Sequence, residues 1–284
     1  MVSREIYVRI DAHQHFWDIG QFEYPWMPSG ESVLRRNYLP GDLAPILEEH
    51  RFDGTVVVQA NVVVEETWWL LGLASEFPII RGVVAWADLT SPGLGSILDR
   101  CQKHPKFKGI RHIVHDEPDL QWLLRPDVIQ GLQELARRGI PYDLLLRPPH
   151  LPLIVELAER VPGLKMVLDH IAKPLIASKV FEPWAADFEA ISKVPGMHCK
   201  LSGMITEANH AAWSADDLRP YVQHALRCFG PDRLMFGSDW PVCRLAGSWK
   251  QVLAGFTQAC GPLPQIEREK LLGGTAIQFY GLEA

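Results

Sequence analysis

The chain has 284 residues, 47% hydrophobic and 22% charged, with a formal net charge of −6 and a pI near 6.0. That is globular composition, too apolar for a disordered chain, and without a basic stripe it is unsuited to nucleic acid. Apolar runs fall far short of the roughly 20 residues that cross a bilayer, and the five cysteines are widely spaced without a CxxC pair, which argues against a disulfide framework or a cysteine zinc site.

The first residues, Met1-Val2-Ser3-Arg4-Glu5, show no basic segment followed by an apolar one, so no secretory leader is expected. Together with the cysteine pattern this points to a reducing cytoplasm. Short apolar runs then alternate with amphipathic stretches. The predicted strands are Ile6–His13, Gly54–Gln59, Ile79–Ala85, Phe107–His112, Pro141–Leu146, Lys165–His170, Met197–Ser202 and Arg233–Ser238. Most are apolar on both faces, as strands buried on two sides of a parallel sheet must be. The predicted helices between them are Leu39–His50, which Pro40 and Pro45 should limit, then Glu65–Phe77, Pro92–His104, Pro126–Arg138, His150–Val161, Pro183–Val194, Asp216–Phe229 and Ser248–Cys260. Gly139 and Gly230 follow predicted helix ends, where a left-handed residue is often needed.

Eight strands, each followed by a helix, predict one α/β domain over residues 1–284, a (β/α)8 TIM-type barrel with its active site at the C-terminal ends of the strands. An open doubly wound sheet is the other reading of the same alternation. The aromatic, irregular stretch Gln14–Tyr38 is expected to cover that mouth and wall the site.

Three strand ends carry the chemistry. Asp11-Ala12-His13-Gln14-His15 ends the first strand, and residues two apart on a strand share a face, so both imidazoles can converge on one ion. Phe236-Gly237-Ser238-Asp239-Trp240-Pro241 ends the eighth strand and places a carboxylate beside them once the barrel closes. Val167-Leu168-Asp169-His170 ends the sixth. Each alone has a bland reading, Asp239 for instance as a helix cap, but all three meet at one face of a barrel. Arg111, His112 and His115 near the fourth strand's end, Arg147 and His150 after the fifth, Lys200 late in the seventh and Trp86 after the third lie near the same mouth. His50, His104, His198, His210 and His224 fall on helices, loops or early strand positions and are read as non-catalytic.

His13-x-His15, His170 and Gly237-Ser238-Asp239, with the closing stretch from Gly273 to Leu282, resemble the amidohydrolase superfamily in its amidohydrolase-2 branch. Asp11-Ala12-His13-Gln14-His15-Phe16-Trp17, Lys108-Gly109-Ile110-Arg111-His112 and Leu146-Arg147-Pro148-Pro149-His150-Leu151 resemble the sugar-lactone hydrolases of that branch, of the L-fucono- and L-rhamnono-lactonase type. The resemblance spans nearly the whole chain. It implies metal ligation by His13, His15 and Asp239, catalysis by Asp239 with His170, and substrate binding by Arg111, His112, Lys200, Trp86 and Arg147. Two-metal relatives take a carboxylated lysine from the fourth strand and a histidine from the fifth. Here Lys106 and Lys108 start the fourth strand on the wrong side, and the fifth ends without histidine, so one divalent ion, zinc, or none is expected. The expected reaction is opening of a sugar lactone to the aldonic acid. The alternatives are a pyrone-dicarboxylate lactone hydrolase, a metal-dependent decarboxylase, and a non-enzymatic sugar-acid binder. The partner expected is a small-molecule lactone, with no nucleic acid and no membrane; no sequence feature specifies an oligomeric state.

Overall fold

A computed structural model describes residues 7–283. Its strands are β1 (Ile10–Gln14), β2 (Gly54–Val58), β3 (Ile80–Ala85), β4 (Phe107–His112), β5 (Tyr142–Leu144), β6 (Met166–Leu168), β7 (His198–Leu201) and β8 (Leu234–Phe236). They pair in parallel in sequence order from β1 to β8. The ring closes at its C-terminal rim, where Gln14 and Trp240 form a parallel bridge and the His15 N–H donates to the Trp240 carbonyl at 2.7 Å. This is the predicted (β/α)8 barrel, and it excludes the open sheet. All eight predicted strands are present, most of them shorter than expected; Ile6, expected to start the first, lies outside the described residues.

Strand apolarity on both faces has a direct structural use. Ile10, Ala12, Val56, Val58, Val84, Val167 and Met235 fill the barrel interior. The alternating residues Val57, Val83, Leu144, Leu168, Leu201 and Phe236 face the helix layer. The helices are α1 (Pro40–Glu49), α2 (Val64–Glu76), α3 (Leu94–Cys101), α4 (Pro126–Arg138), α5 (Leu153–Arg160), α6 (Trp184–Ser192), the single turn α7 (Met204–Glu207), α8 (Ala215–Phe229), α9 (Trp249–Cys260), α10 (Gln265–Glu269) and α11 (Thr275–Tyr280). Helix α1 is one residue shorter at each end than expected, and its prolines do not break it. Pro40 is at the first helical position, where the missing N–H has no intrahelical partner to lose, and the helix runs on through Pro45. Gly139 ends α4 in the left-handed region at φ 67°.

Ala276, Phe279, Tyr280 and Leu282 of the α11 segment pack onto the interior residues, so this segment plugs the N-terminal end of the barrel. At the other end, residues 15–39 close on themselves: Trp17 and Tyr38 exchange backbone hydrogen bonds of 3.0 Å each way, and Trp17 makes edge contacts with Trp26 and Tyr38. The Trp26 indole donates to the Ala60 carbonyl at 2.7 Å, which holds this aromatic loop over the C-terminal mouth. Among the described residues no helix is long and apolar enough to cross a membrane.

Candidate active site

The first-strand motif reaches the site through an irregularity. Ile10 and Ala12 point into the barrel, while the Asp11 carboxylate points to the helix layer and accepts from the Trp249 indole at 2.9 Å. Strict alternation would send His13 outward with Asp11. The β1–β2 register pairs Asp11 with Thr55 but Gln14 with Val57, so β1 carries one extra residue there. This bulge, a device that re-aims side chains beside active sites, turns His13 and His15 inward together. Asp11 also accepts the Ser238 N–H at 2.8 Å, tying the first motif to the eighth. Gly237 is required for their approach, because a Cβ there would lie 2.6 Å from the His13 Cβ.

His170 is aimed differently. Strand β6 stops at Leu168, two residues earlier than predicted, and His170, Ile171, Ala172 and Lys173 all take positive φ, between 48° and 60°. Consecutive left-handed non-glycine residues, one of them β-branched, are strained and persist only where the surroundings enforce them. Asp169 keeps the inward direction of Val167, and the turn brings its neighbour His170 inward as well. Gly203, itself at φ 60°, makes room: a Cβ there would lie 2.6 Å from the His170 Nδ1.

Four side chains converge. His13 Nε2 and His15 Nε2 are 3.2 Å apart, and an Asp239 carboxylate oxygen lies 3.3 Å from His15 Nε2 and 3.9 Å from both His13 Nε2 and His170 Nε2. His15 Nδ1 donates to the Val58 carbonyl at 2.8 Å, which leaves the Nε2 lone pair facing the cluster. His170 Nδ1 contacts the Ser202 hydroxyl at 2.8 Å. Lone pairs from imidazole and carboxylate this close need a proton or a cation between them. Tetrahedral zinc with bonds of about 2.0–2.2 Å separates its ligand atoms by about 3.4 Å. The observed separations and the nitrogen–oxygen donor set fit one such ion, and among the described residues His13, His170 and Asp239 form the group suited to a metal.

The electrostatics agree. Burial pushes the His13 and His170 imidazoles down, His170 to about 4, which keeps their nitrogens available as neutral donors of electron pairs. Burial pushes Asp239 up, but the facing imidazoles of His170, His15 and His13 outweigh it and hold the carboxyl well below its usual range.

The cavity above the cluster has a volume of about 140 Å³, room for a small ring, and its walls include Trp26, Arg111, His115 and Lys173. Of the predicted binding residues, Arg111 lines it. His112 does not: adjacent strand residues face opposite ways, so Arg111 points inward while His112 stacks on Trp122 with ring centroids 4.2 Å apart and accepts from the Trp86 indole. That bond also places Trp86 outside the cavity lining, and the exposed Arg147 side chain lies outside it too. Lys200 is fully buried beneath the site, 2.5 Å from Asp143, 3.0 Å from Asp169 and 3.1 Å from His13 Nδ1. Sequence reasoning passed over Asp169, which contacts His13 at 3.2 Å and Arg111 at 3.0 Å; its place two residues beyond the inward Val167 was the available signal. Lys173 was also missed, since nothing in the sequence announces a left-handed turn.

A (β/α)8 barrel that gathers three imidazoles and a carboxylate at its C-terminal mouth has the architecture of the metal-assisted hydrolases. The sequence profile of the amidohydrolase family matches residues 10–282, and the chain belongs to that family. It is 38% identical over 281 residues to an L-fucono-1,5-lactonase of Burkholderia ambifaria, covering 97% of this chain and 96% of the relative. An L-rhamnono-gamma-lactonase of Scheffersomyces stipitis is 25% identical over 62% of this chain and 59% of its own. A zinc-bound crystal structure of a Burkholderia multivorans amidohydrolase superimposes with a TM-score of 0.90 at 37% identity, covering 97% of this chain and all of that one.

Proposed function

We propose that this protein is a hydrolase that opens a sugar lactone to its aldonic acid. The observation that carries the reading is the Asp239 carboxylate facing three imidazoles at the floor of a cavity sized for one small ring. The near full-length similarity to L-fucono-1,5-lactonases supports the substrate class.

Lactone hydrolysis needs an activated water, stabilisation of a developing oxyanion, and a proton for the leaving alkoxide. Asp239 takes the proton from water and returns it to the ring oxygen. A carboxylate this weakly basic needs help, and a divalent ion, zinc in our reading, held by His13, His15 and Asp239, a set to which the geometry adds His170 as a further donor, would acidify the water and polarise the carbonyl. His170, fixed by Ser202, orients Asp239 or the water. Arg111 faces the substrate oxygens, and Trp26 offers an aromatic face to the apolar side of the ring. Lys200, His112 and Trp86 act behind the cavity wall.

A neutral lactone suits this cavity better than a dicarboxylate one. Both cationic side chains that line it are already paired, Arg111 with Asp169 at 3.0 Å and Lys173 with Glu207 at 2.7 Å. The test is acid release from a stereochemically broad panel of aldonolactones, L-fucono-1,5-lactone among them, beside a pyrone dicarboxylate, with carbon dioxide measured on the same samples. Preference for the dicarboxylate, carbon dioxide release, or no turnover across the panel would overturn the reading.

A further inference from the structure

Lys173 joins the cavity wall at the end of the left-handed turn, at φ 51°. Its ammonium donates to Glu207 Oε1 at 2.7 Å, and the two side chains are 16% and 18% exposed. Glu207 is the last residue of α7 and lies outside the cavity lining. Its backbone carbonyl accepts the Ala177 N–H at 2.9 Å, which fastens α7 to the segment that carries Lys173. The carboxylate therefore reaches the ammonium from behind the wall.

The charged residues lining the cavity are Arg111, Lys173, Asp116 and Asp239. Arg111 is buried and bonded on two sides, to Asp169 at 3.0 Å and to Gln59 Oε1 at 2.9 Å. It cannot turn to a ligand without leaving the buried Asp169 uncompensated. Lys173 is different. It has one carboxylate partner and a long, flexible stem. Its charge also acts inside the cavity: burial, and next the Lys173 ammonium, push the His115 imidazole of the same wall down to about 3.

A lactone without a carboxylate asks nothing of that ammonium beyond a hydrogen bond. A lactone that carries one would gain a charge-assisted bond from a free Lys173. With Glu207 in place, the incoming carboxylate must displace a carboxylate already bound, and it meets like charge from Glu207 and Asp239. Discrimination of this kind comes from a penalty on the wrong ligand and not from extra contacts to the right one. The same pairing acts after ring opening, because hydrolysis turns a neutral lactone into an anion that a free ammonium would retain.

We infer that Glu207 is a specificity-determining residue: by holding the Lys173 ammonium, it sets the cavity for a neutral lactone and against one that bears a carboxylate. The inference rests on the proposed hydrolysis of a lactone, and its test separates the two.

The test compares kcat/KM for L-fucono-1,5-lactone and a pyrone dicarboxylate in the wild type and in Glu207→Gln, which keeps the shape and an acceptor but not the charge. The ratio is expected to move toward the dicarboxylate by about tenfold, the worth of one charge-assisted hydrogen bond. Lys173→Met/Glu207→Gln removes both charges and is expected to abolish that gain. Should Glu207→Gln fail to fold, Glu207→Asp, whose carboxylate is one methylene shorter, is expected to shift the ratio the same way by about threefold. An unchanged ratio in the folded single variant, or a gain that persists in the double variant, overturns the inference. If the wild type turns over no lactone, the proposed function fails, and malonate binding by calorimetry decides the inference instead. Malonate is expected to bind about tenfold more tightly to Glu207→Gln than to the wild type, and no more tightly to the double variant. Equal malonate affinities in the wild type and the single variant, or no binding by either, overturn it.

Discussion

The backbone N–H of Asp239 donates to the carbonyl of His13 at 2.8 Å, so the candidate base and the candidate ligand are joined by one of the bonds that close the barrel. Any movement of one strand end moves the other. The geometry of the site is thereby tied to the integrity of the closed sheet, and several measurable consequences follow from this and from the packing around it.

Asp239→Asn keeps the shape of the side chain but removes its ability to accept a proton. It is expected to lower kcat by at least about 10²–10⁴-fold, the worth of general-base catalysis, while the thermal midpoint stays close to wild type. Activity near wild type in a folded variant would refute the assigned role.

Metal content should not exceed one divalent ion per chain, because the described residues offer one convergent donor set. Elemental analysis of the purified protein measures it. Chelation is expected to lower the rate and zinc to restore it. Two tightly held ions would contradict the single site; an unchanged rate after complete removal would leave His13 and His15 to act as hydrogen-bond partners of the carbonyl.

Gly203→Ala places a methyl group 2.6 Å from the His170 ring in a residue at φ 60°. The strain is expected to cost about 1–3 kcal/mol and, because His170 must shift, to reduce kcat more than the stability loss alone explains. Denaturant unfolding and kcat on the same preparation check this.

Trp26→Ala should raise KM with kcat nearly unchanged. An aromatic contact is worth about 0.5–1.5 kcal/mol beyond area, which corresponds to about a two- to twelvefold change in KM. An unchanged KM would remove Trp26 from the substrate contacts.

Glu66 gives a pH-dependent prediction. Its Oε2 accepts the Ala60 and Asn61 N–H groups at 2.9 and 2.8 Å, fixing the loop that Trp26 docks on. Burial pushes its carboxyl up to about 7, against the opposing effects of those N–H groups, Tyr24 and Arg111. The folded state therefore holds a proton that the unfolded chain releases near its ordinary value. The contribution is full below about pH 4.5, is lost as pH rises through about 7, and amounts to roughly 3 kcal/mol at most. Glu66→Gln, which can still accept from both N–H groups, should flatten the decline in stability between pH 5 and 8. Parallel profiles for the two proteins would count against it.

How much of this was legible beforehand follows from the physics of each element. Strand and helix alternation could be read along the chain because burial on both faces of a parallel strand demands continuous apolar runs, and burial of one helix face demands a 3.6-residue period. His13, His15, His170 and Asp239 could be named because strand order fixes which ends meet in a barrel. Their aim could not. The β1 bulge that turns His13 inward, the left-handed turn that brings in His170 and Lys173, and the loop that seats Trp26 are set by packing against neighbours distant in the chain. For the same reason Lys200 looked like a substrate contact: a lysine late in a strand is equally consistent with the open mouth and with the buried axis. Only tertiary structure places Asp143 and Tyr280 beneath it, because ion pairing in a low-dielectric core is decided by which charges share the space and not by their order in sequence.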